Sequence, residues 1–462
     1  MKKVLLLCCS LMTLNGFSQE HFSGINISKR AGLLNASINP AELTNMSRKF
    51  DVNVFNTSVN VSNNKIKFND IMKGENLEEK IFTGSDPTSM RLDVLIQGPS
   101  VAMKYKKWAF ALASAGNIKA NATDVDVNFG NAVTNSFLGT AQINSQYNQR
   151  MNAASWGEIN LSAARNIFEN DTHKFSGGAT LKLLFPGSYM NMGIDKLQGE
   201  VTNDPVTGDV YLYNAYANVN FSYSGSLAES YEDNSNYTKL FAGGLSGIGA
   251  DFGFNYQLKD NMAPTREDVN PVETANETRR VDEYKLNVGF SFRNMGTMTF
   301  KDDNNSSSNY QLNIPTTNPL NLGDFEGTDS VKDIEQLLID EGYLTKESSN
   351  GDFKVKLPAV INLYADYRIH NKWYVSAYTQ QKLSDDSQND FTTIQNIITV
   401  TPRFAGKNYE LYMPLSDNEV SGFTTGFGFR LGGFFLGSGS IVTAALNNSK
   451  QADIYMGFRF GI

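Results

Sequence analysis

The chain has 462 residues, a formal net charge of −8 and a mean hydropathy of −0.34, despite 38 Gly, 20 Tyr and 30 Phe. The acidic balance argues against a sequence-independent grip on phosphate backbones, so we expect no nucleic-acid partner. A chain rich in glycine and aromatics but not hydrophobic overall fits a transmembrane β-barrel better than a large soluble protein, because only every second strand residue of a barrel faces lipid.

The amino terminus has the layout of a secretory signal peptide. Lys2 and Lys3 form a charged region, Val4–Leu14 is apolar, and small residues follow up to Ser18. The apolar stretch is too short for a membrane span, which takes about 20 residues. We therefore predict that residues 1–18 are a cleaved signal peptide and that the protein is exported.

Cleavage at this point removes both cysteines, Cys8 and Cys9, so the mature chain has no disulfide and no thiolate for catalysis or metal binding. It also removes two lysines, which lowers the formal charge from −8 to −10. No later apolar run is long enough for a spanning helix. A membrane location then requires a closed sheet, because lipid cannot satisfy open backbone groups.

The mature amino-terminal stretch, residues 19–47, is turn-rich and non-periodic, with Gly32, Asn39 and Pro40 ahead of the first strand. Two interpretations stay open for it. The segment folds back into a barrel lumen as a plug, or it is a loose periplasmic tail. The remaining residues, 48–462, are assigned to the barrel.

Strands are predicted from alternation with a period of two. In 248–258 the even positions are Ile, Ala, Phe, Phe, Tyr and Leu, whereas the odd positions are Gly, Asp, Gly, Asn and Gln. A soluble sandwich also alternates. Strands of about ten residues, and the girdle-like position of Trp108, Trp156 and Trp373 near strand ends, favour the barrel. The same pattern recurs in 174–185, 284–293 and 423–431.

The final segment, residues 452–462, alternates up to the carboxyl terminus. Soluble domains seldom end in an amphipathic strand, whereas outer-membrane barrels commonly do, and their assembly machinery recognises that strand. We therefore predict that this segment closes the barrel. Its apolar face consists of Ile454, Met456, Phe458, Phe460 and Ile462.

Fifteen candidate strands can be drawn, but a single-chain bacterial barrel has an even number, so one of them is wrong. Counting inward from both termini locates the error between 186 and 280, where 210–223 is an outer hairpin arm or a strand near 189–198 is missing. The sequence thus predicts an all-β, transmembrane antiparallel β-barrel of about 14 strands, with 16 as the second choice. The candidate strands are 48–61, 91–105, 107–118, 155–167, 173–185, 210–223, 245–258, 281–300, 357–369, 372–382, 394–405, 408–413, 420–430, 433–446 and 451–461.

Four polar stretches between the strands are predicted to be external loops: 62–86, 120–149, 303–351 and 384–390. In the longest of them, apolar residues recur at helical spacing from Val331 to Leu338, with Asp329 or Ser330 as the cap and Gly342 as the terminator. A short loop helix near 330–342 is therefore predicted. We expect it to pack over a mouth of the barrel rather than to dock a partner.

No catalytic, cofactor or metal site is predicted. The three histidines, His21, His173 and His370, lie far apart in the sequence. Nucleophile-elbow and phosphate-loop motifs do not occur with the required glycine spacing. His370 beside Asp366 is the single weak candidate for hydrolytic chemistry, so an enzyme is the least favoured of the functions considered.

Charged residues on the polar phase of the strands are the most informative set for function. The preferred interpretation is a salt-bridged network that braces a filled lumen, and the alternative is a substrate pathway. The residues predicted to face the lumen are Asp93, Glu158, Arg165, Asp251, Arg293, Asp366, Arg368, Arg403, Arg430 and Arg459.

Several short segments carry a family resemblance: Asn39–Ala41, Leu95–Ser100, Trp156–Ile159, Leu357–Ala359, and Thr401–Arg403 followed by Pro414–Ser416. In these the chain resembles a family of Bacteroidota outer-membrane β-barrels of unknown function, which is similar to the long-chain fatty-acid transporter barrels. The resemblance spans nearly the whole mature chain and implies the fold and an outer-membrane location. Transporter barrels of this kind pass hydrophobic compounds through a kinked, plugged strand region.

The first hypothesis for function is a non-enzymatic, porin-like barrel that serves as a structural or interaction subunit of an outer-membrane assembly. The alternative is a transporter of hydrophobic small molecules. The expected partners are outer-membrane lipid, the barrel assembly machinery and, in the first hypothesis, other outer-membrane proteins.

Overall fold

The computed structural model describes residues 21–134, 139–228, 244–259, 284–301, 305–370, 372–406, 408–446 and 449–461. The proposed signal peptide and Ile462 of the last strand lie outside these residues. Twenty-three β-strands join in one sheet within the described ranges. They are β1 (Phe50–Asn63), β2 (Thr88–Gln97), β3 (Ser100–Tyr105), β4 (Trp108–Val125), β5 (Thr140–Asn144), β6 (Asn148–Glu169), β7 (His173–Asn203), β8 (Val210–Ser224), β9 (Gly247–Lys259), β10 (Tyr284–Phe300), β11 (Ser306–Ile314), β12 (Leu320–Asn321), β13 (Leu344–Asn350), β14 (Phe353–Lys356), β15 (Val360–His370), β16 (Trp373–Lys382), β17 (Ile397–Ala405), β18 (Tyr409–Tyr412), β19 (Leu415–Asn418), β20 (Gly422–Thr425), β21 (Phe427–Leu431), β22 (Phe434–Ser438) and β23 (Gln451–Gly461).

Fourteen antiparallel spans of this sheet form a closed ring, which confirms the first choice of strand number over sixteen. The ring closes because β1 pairs with β2 and β3 on one side and with β23 on the other, where Asn56 lies opposite Gly457. The order around the ring is β1, β2–β3, β4, β6, β7, β9, β10, β14–β15, β16, β17, β18–β19, β20–β21, β22 and β23.

The wall has an apolar outer face, as the alternation predicts. Phe252, Phe254, Leu363 and Ile454 are exposed on it, whereas their sequence neighbours on the strands point inward. Among the described residues, no helix combines the length and apolarity needed to cross a membrane. A belt of exposed apolar side chains around a closed sheet is the arrangement that lipid requires of a spanning protein.

The strand that made the sequence-based count odd is β8. It pairs with the outer part of β7 and with β11, and so forms a hairpin arm outside the ring. β7 runs unbroken through 189–198, the segment in which a further strand seemed to be missing. The hairpin-arm interpretation of 210–223 is therefore right, and the missing-strand interpretation is wrong.

The outer part of β7 belongs to an extension of the wall, which we call the outer sheet and which consists of β5, the outer half of β7, β8, β11, β12 and β13. Much of the stretches 120–149 and 303–351, expected to be loops, is folded into this sheet or continues β4. The strand expected at 433–446 ends at Ser438 and gives way to a helix.

The helices of the described residues are short: α1 (Leu33–Ala36), α2 (Phe68–Met72), α3 (Leu77–Ile81), α4 (Val127–Val133), α5 (Val331–Asp340) and α6 (Ile441–Ala445). The helix expected near 330–342 is confirmed as α5. The Ser330 hydroxyl accepts a hydrogen bond from the Asp333 N–H at 3.2 Å, and Gly342 follows with a φ of 76°. The helix packs on the apolar face of the outer sheet, against β7, β8 and β13, rather than over the barrel mouth.

Candidate functional site

The interior of the barrel is filled by the described part of the amino-terminal stretch, residues 21–47, which we call the luminal segment. Ala31, Ala41 and Leu43 of this segment are wholly buried. Glycines in the wall make room for it, because a Cβ on Gly178 would lie 2.6 Å from the Ala41 nitrogen and one on Gly253 would lie 2.1 Å from the side-chain oxygen of Asn39. The turn at Asn39–Ala41 is thus fitted to the inner wall.

Polar groups fasten the luminal segment to the strands. The Glu42 carboxylate accepts hydrogen bonds from Asn255 Nδ2 at 2.8 Å, Asn287 Nδ2 at 3.0 Å and the Tyr364 hydroxyl at 2.5 Å. At the next turn Lys174 Nζ donates to the backbone carbonyl of Thr44 at 3.0 Å. The segment is therefore held on several strands at once.

Two groups of charged side chains lie on the inner wall. The first lies near the end of the barrel where short turns, such as the one at Gly432–Gly433, join the strands. Asp366 accepts from Arg403 Nη2 at 2.6 Å and from the Tyr284 hydroxyl, and all three side chains are buried. Arg430 Nε lies 3.1 Å from Glu410 Oε2. Buried charges need such partners, because an isolated ion in the interior is expensive.

Ser28 of the luminal segment also donates to Glu410, at 2.9 Å. Arg459 Nη1 lies 2.8 Å from Asp51 Oδ2, across the seam where the first and last strands meet. Arg368 is buried on the same inner face as Asp366. The charges in this half of the barrel thus join the luminal segment, the seam and the wall.

The second group lies further from the short turns, toward the outer sheet. Lys182 Nζ is 3.2 Å from Asp251 Oδ2 and 3.7 Å from Glu158 Oε2. Lys119 Nζ lies 2.5 Å from Asp93 Oδ1. Arg293 is half-buried nearby and lines the cavity described below.

Arg165 does not face the lumen, and that expectation is wrong. It is exposed on the outer face, where its guanidinium lies 5.3 Å from the ring centroid of Trp108. The reason is parity, since Glu158 and Arg165 are seven positions apart on one strand and must point to opposite faces. Trp156 is also misassigned, because it is buried inside and donates from Nε1 to Glu158 at 2.9 Å instead of joining a girdle.

Sequence reasoning missed Lys119, Lys182, Glu410 and Asp51, which supply the counter-charges. The first three lie on the inward, polar phase of β4, β7 and β18, so strict alternation along these strands would have found them. Asp51 lies before a bulge at Val54, where the phase of β1 shifts, and so alternation alone does not find it.

The histidines stay apart in the fold. His21 Nδ1 lies 3.0 Å from Ser58 Oγ, and His173 Nδ1 lies 2.7 Å from the Tyr256 hydroxyl. His370 is exposed at a turn, whereas Asp366 is buried and engaged by Arg403. In the described part of the chain, no three His, Cys, Asp or Glu side chains converge as a metal site would need.

A cavity of about 140 Å³ lies between the luminal segment and the inner wall, where residues of β1 to β4, β6, β7, β9, β10 and β16 line it. Apolar, polar and charged side chains all line it. The lining includes Phe22, Leu33, Ile38, Asn53, Gln97, Ser100, Trp156, Glu158, Lys182 and Arg293.

The wall beside this cavity is broken at Gly98–Pro99, the link between β2 and β3. Asn53 pairs with Ser100 and Asn56 pairs with Gln97, but the register skips two residues on each strand between these pairs. We call this interruption the wall break. Because residues on both sides of it line the cavity, the cavity reaches the wall at a place where strand pairing is interrupted.

The chemistry of the wall break follows from its residues. Pro99 has no N–H to donate, and the Gly98 N–H bonds to the Ser114 carbonyl on β4 at 2.9 Å rather than to β1. Side chains replace the missing backbone partners, since the Gly98 carbonyl accepts from Asn53 Nδ2 at 3.0 Å and from Ser100 Oγ at 2.9 Å. Separating the strands here costs few backbone hydrogen bonds.

Several solved structures are similar to this chain at a low level. The deltaS2S3 mutant of the monoaromatic hydrocarbon channel TodX covers 92% of this chain and 94% of its own, with 10% identity and a TM-score of 0.45. The toluene transporter TodX of Pseudomonas putida covers 93% and 94%, with 9% identity and a TM-score of 0.43. A FadL homologue of Pseudomonas aeruginosa covers 96% and 98%, with 10% identity and a TM-score of 0.32. At such low similarity we base no conclusion about ligands on them.

A comparison with curated proteins found no match. The family model described as "Family of unknown function (DUF5723)" matches residues 40–439, which is most of the chain. The match begins in the luminal segment and ends after β22. It therefore includes every strand of the ring except β23, together with most of the Asn39–Ala41 turn that the wall glycines accommodate. The chain belongs to this family of unknown function, DUF5723.

Proposed function

We propose that the protein resides in the bacterial outer membrane and lets small hydrophobic molecules pass through its barrel. A closed sheet with an apolar outer face supports the location. The observation that carries the function is the contact between the luminal cavity and the wall break at Gly98–Pro99. Together they make a route from the interior of the barrel toward lipid.

The outer surface at the wall break is suited to such a molecule. Val54 and Phe55 are both exposed on the outside of β1, and Ile96 and Val101 flank the break on the other strand pair. A molecule that leaves the cavity here meets apolar side chains and then hydrocarbon. A charged solute would lose its hydration along the same path, which is costly.

The size of the cavity sets what fits without rearrangement. A cavity of roughly 150 Å³ is enough for a benzene-sized molecule, and the cavity here is about 140 Å³. Longer molecules require the luminal segment to shift. Its hydrogen bonds to the wall are polar contacts that water can replace.

This proposal reverses the order of the two functions suggested by the sequence. A subunit that only braces an assembly needs neither an internal cavity nor a break in its wall, whereas a transporter needs both. The barrel assembly machinery and other outer-membrane proteins stay predicted partners, and the Bacteroidota origin stays a prediction as well.

A reversible crosslink across the wall break tests the proposal. Asn53→Cys combined with Ser100→Cys places two thiols on residues that pair directly, and the periplasm favours the disulfide. In native-host cells that lack the wild-type gene, we expect the oxidised variant to take up radiolabelled toluene and decanol several-fold more slowly than wild type. Reduction should restore uptake.

The matched control is Val59→Cys combined with Val94→Cys, a directly paired position of β1 and β2 away from the wall break, where the register is continuous. Its oxidation should leave uptake unchanged. Equal uptake by the oxidised Asn53→Cys/Ser100→Cys variant and by wild type would rule out passage through the wall break.

A further inference from the structure

The outer sheet and the adjoining end of β6 share one polar face, built mainly from amides and hydroxyls with Arg150 and Asp195 among them. Neighbouring strands lie about 4.8 Å apart, so residues in register form regular cross-strand rows. Three successive rows occupy this face, which we call the amide face. They are Asn148, Asp195, Asn218 and Gln311; Arg150, Gly193, Asn220 and Asn309; and Asn152, Asn191, Ser222 and Ser307.

The amide face is the outward continuation of the lumen. Asn148 and Asn152 share the phase of Glu158 on β6, and Glu158 points into the barrel. The opposite face carries Val219 and Phe221, which pack in a buried apolar cluster with α5. The apolar face therefore stabilises the sheet, while the polar face lines the approach to the barrel from outside.

A second cavity, of about 320 Å³, opens on the first two rows. Its volume lies at the lower end of the range of small-ligand pockets. Ser387 and Asn389, from the connection between β16 and β17, form part of its lining opposite the strands. The site is thus formed by the sheet on one side and a loop on the other.

Asn148 gives the clearest sign of a missing ligand. Its side chain is 95% buried and lines the cavity. Nδ2 donates to the Ser387 carbonyl at 2.7 Å and to Asn389 Oδ1 at 2.9 Å, but the buried Oδ1 has no hydrogen-bond partner in the described structure. A buried acceptor without a donor is unfavourable and is rare in native proteins.

Gly193 shows how tightly this arrangement is fitted. A Cβ at this position would lie 2.1 Å from Asn389 Oδ1 and 3.0 Å from Asn148 Oδ1. Only glycine leaves the space in which these two amides sit. The backbone of β7 therefore permits the polar pocket that the side chains form.

We propose that this cavity binds a neutral oligosaccharide. The described lining residues include the carboxylates of Asp195 and Glu347 but no Lys, Arg or His, which disfavours an anion. Amide side chains both donate and accept hydrogen bonds, as sugar hydroxyls do, and a hydroxyl would supply the donor that Asn148 Oδ1 lacks. The sugar comes from solution or from a glycan of the cell surface, and both sources present the same chemistry.

Binding to the detergent-purified full-length protein tests this inference. The probes are maltotriose, cellotriose and chitotriose, together with the polysaccharide released from lipopolysaccharide by mild acid, and calorimetry measures the affinity of each. We expect at least one probe to bind. A trisaccharide that binds indicates a soluble source, and binding of the released polysaccharide alone indicates a surface glycan.

Asn218→Leu combined with Asn309→Leu removes two exposed amides of the cavity. Losing two hydrogen bonds should weaken binding at least about tenfold. Asn313→Leu is the matched control, because Asn313 is exposed on the same strand and face but does not line the cavity. Asn218→Ala is the milder alternative, with a smaller loss in the same direction.

Two outcomes would overturn the proposal: no probe binds to wild type, or the double variant binds as tightly as wild type and the Asn313→Leu control. Neither outcome bears on transport, because the crosslink experiment uses residues at the wall break.

Discussion

Tyr364 and Glu42 share a buried hydrogen bond, 2.5 Å from the hydroxyl oxygen to Oε1, that fastens the luminal segment to β15. Asn39 Nδ2 donates to the same hydroxyl at 3.1 Å. Tyr364 thus holds two turns of the segment at once. The donors around this carboxylate in the described structure are amides and a phenol, so the attachment depends on hydrogen-bond geometry rather than on an ion pair.

Tyr364→Phe should loosen the luminal segment. The substitution keeps the ring but leaves a buried carboxylate with one donor fewer, which costs about 1–3 kcal/mol. We expect a lower midpoint of thermal unfolding in detergent and faster tryptic cleavage at Arg30. Tyr367→Phe, on the exposed face of the same strand, is the control, and identical behaviour of the two variants would refute the assignment.

Arg403→Met should destabilise the barrel strongly. Asp366 would stay buried without its cation, and breaking such a pair typically costs about 3–5 kcal/mol. Replacing both partners, in Arg403→Met with Asp366→Leu, should recover most of the loss, because no unpaired charge is left. Denaturant unfolding in detergent measures both variants. If the double variant is no more stable than the single one, charge burial is not the cause.

High pH should release α5 from the outer sheet. Burial, and then a hydrogen bond donated to Glu335, raise the pKa of Tyr310 from 10 to about 12. A raised tyrosine pKa means that the neutral form is favoured in the folded state. The resulting stability is complete below pH 10 and is lost as the pH rises through about 12.

A fluorophore on Ile339→Cys, an exposed position of α5, reports this release. We expect its emission to change between pH 10 and 12 in the otherwise wild-type protein, and the change to be smaller or shifted when Tyr310→Phe is added. Emission that is insensitive to Tyr310→Phe would show that another group controls the transition.

Export predicts a defined mature terminus. If residues 1–18 are removed, intact-mass measurement of protein purified from native membranes should find a chain that begins at Gln19. A thiol reagent should then label no residue of the wild-type protein, since Cys8 and Cys9 are gone. Retention of either cysteine would contradict the signal-peptide prediction.

The fold was accessible from sequence because each wall strand obeys one strong constraint, with lipid on one face and a polar interior on the other. Phe252 and Asp251 illustrate it, the first exposed outside and the second buried inside. The constraint does not apply to the outer sheet. In β8, Val219 and Phe221 face a protein core rather than lipid, and alternation does not distinguish these two apolar surroundings.

The candidate sites were less accessible for two reasons. The wall break depends on which register the strands adopt around Gly98–Pro99, and register is a long-range property. The amide face depends on residues such as Asn148 and Asn309, which are far apart in sequence and lie in stretches that read as polar loops. Only the paired sheet brings them into one row.

One strand, β7, has 31 residues, which at about 3.3 Å per residue is roughly 100 Å of continuous backbone. The apolar band of an outer-membrane barrel is only about 25 Å tall. The same strand therefore carries Lys182 on the inner wall and Asp195 in the outer sheet. Its register against β6 is interrupted between these residues, at Gly187–Ser188, so we expect any bending of the outer sheet relative to the wall to be concentrated there.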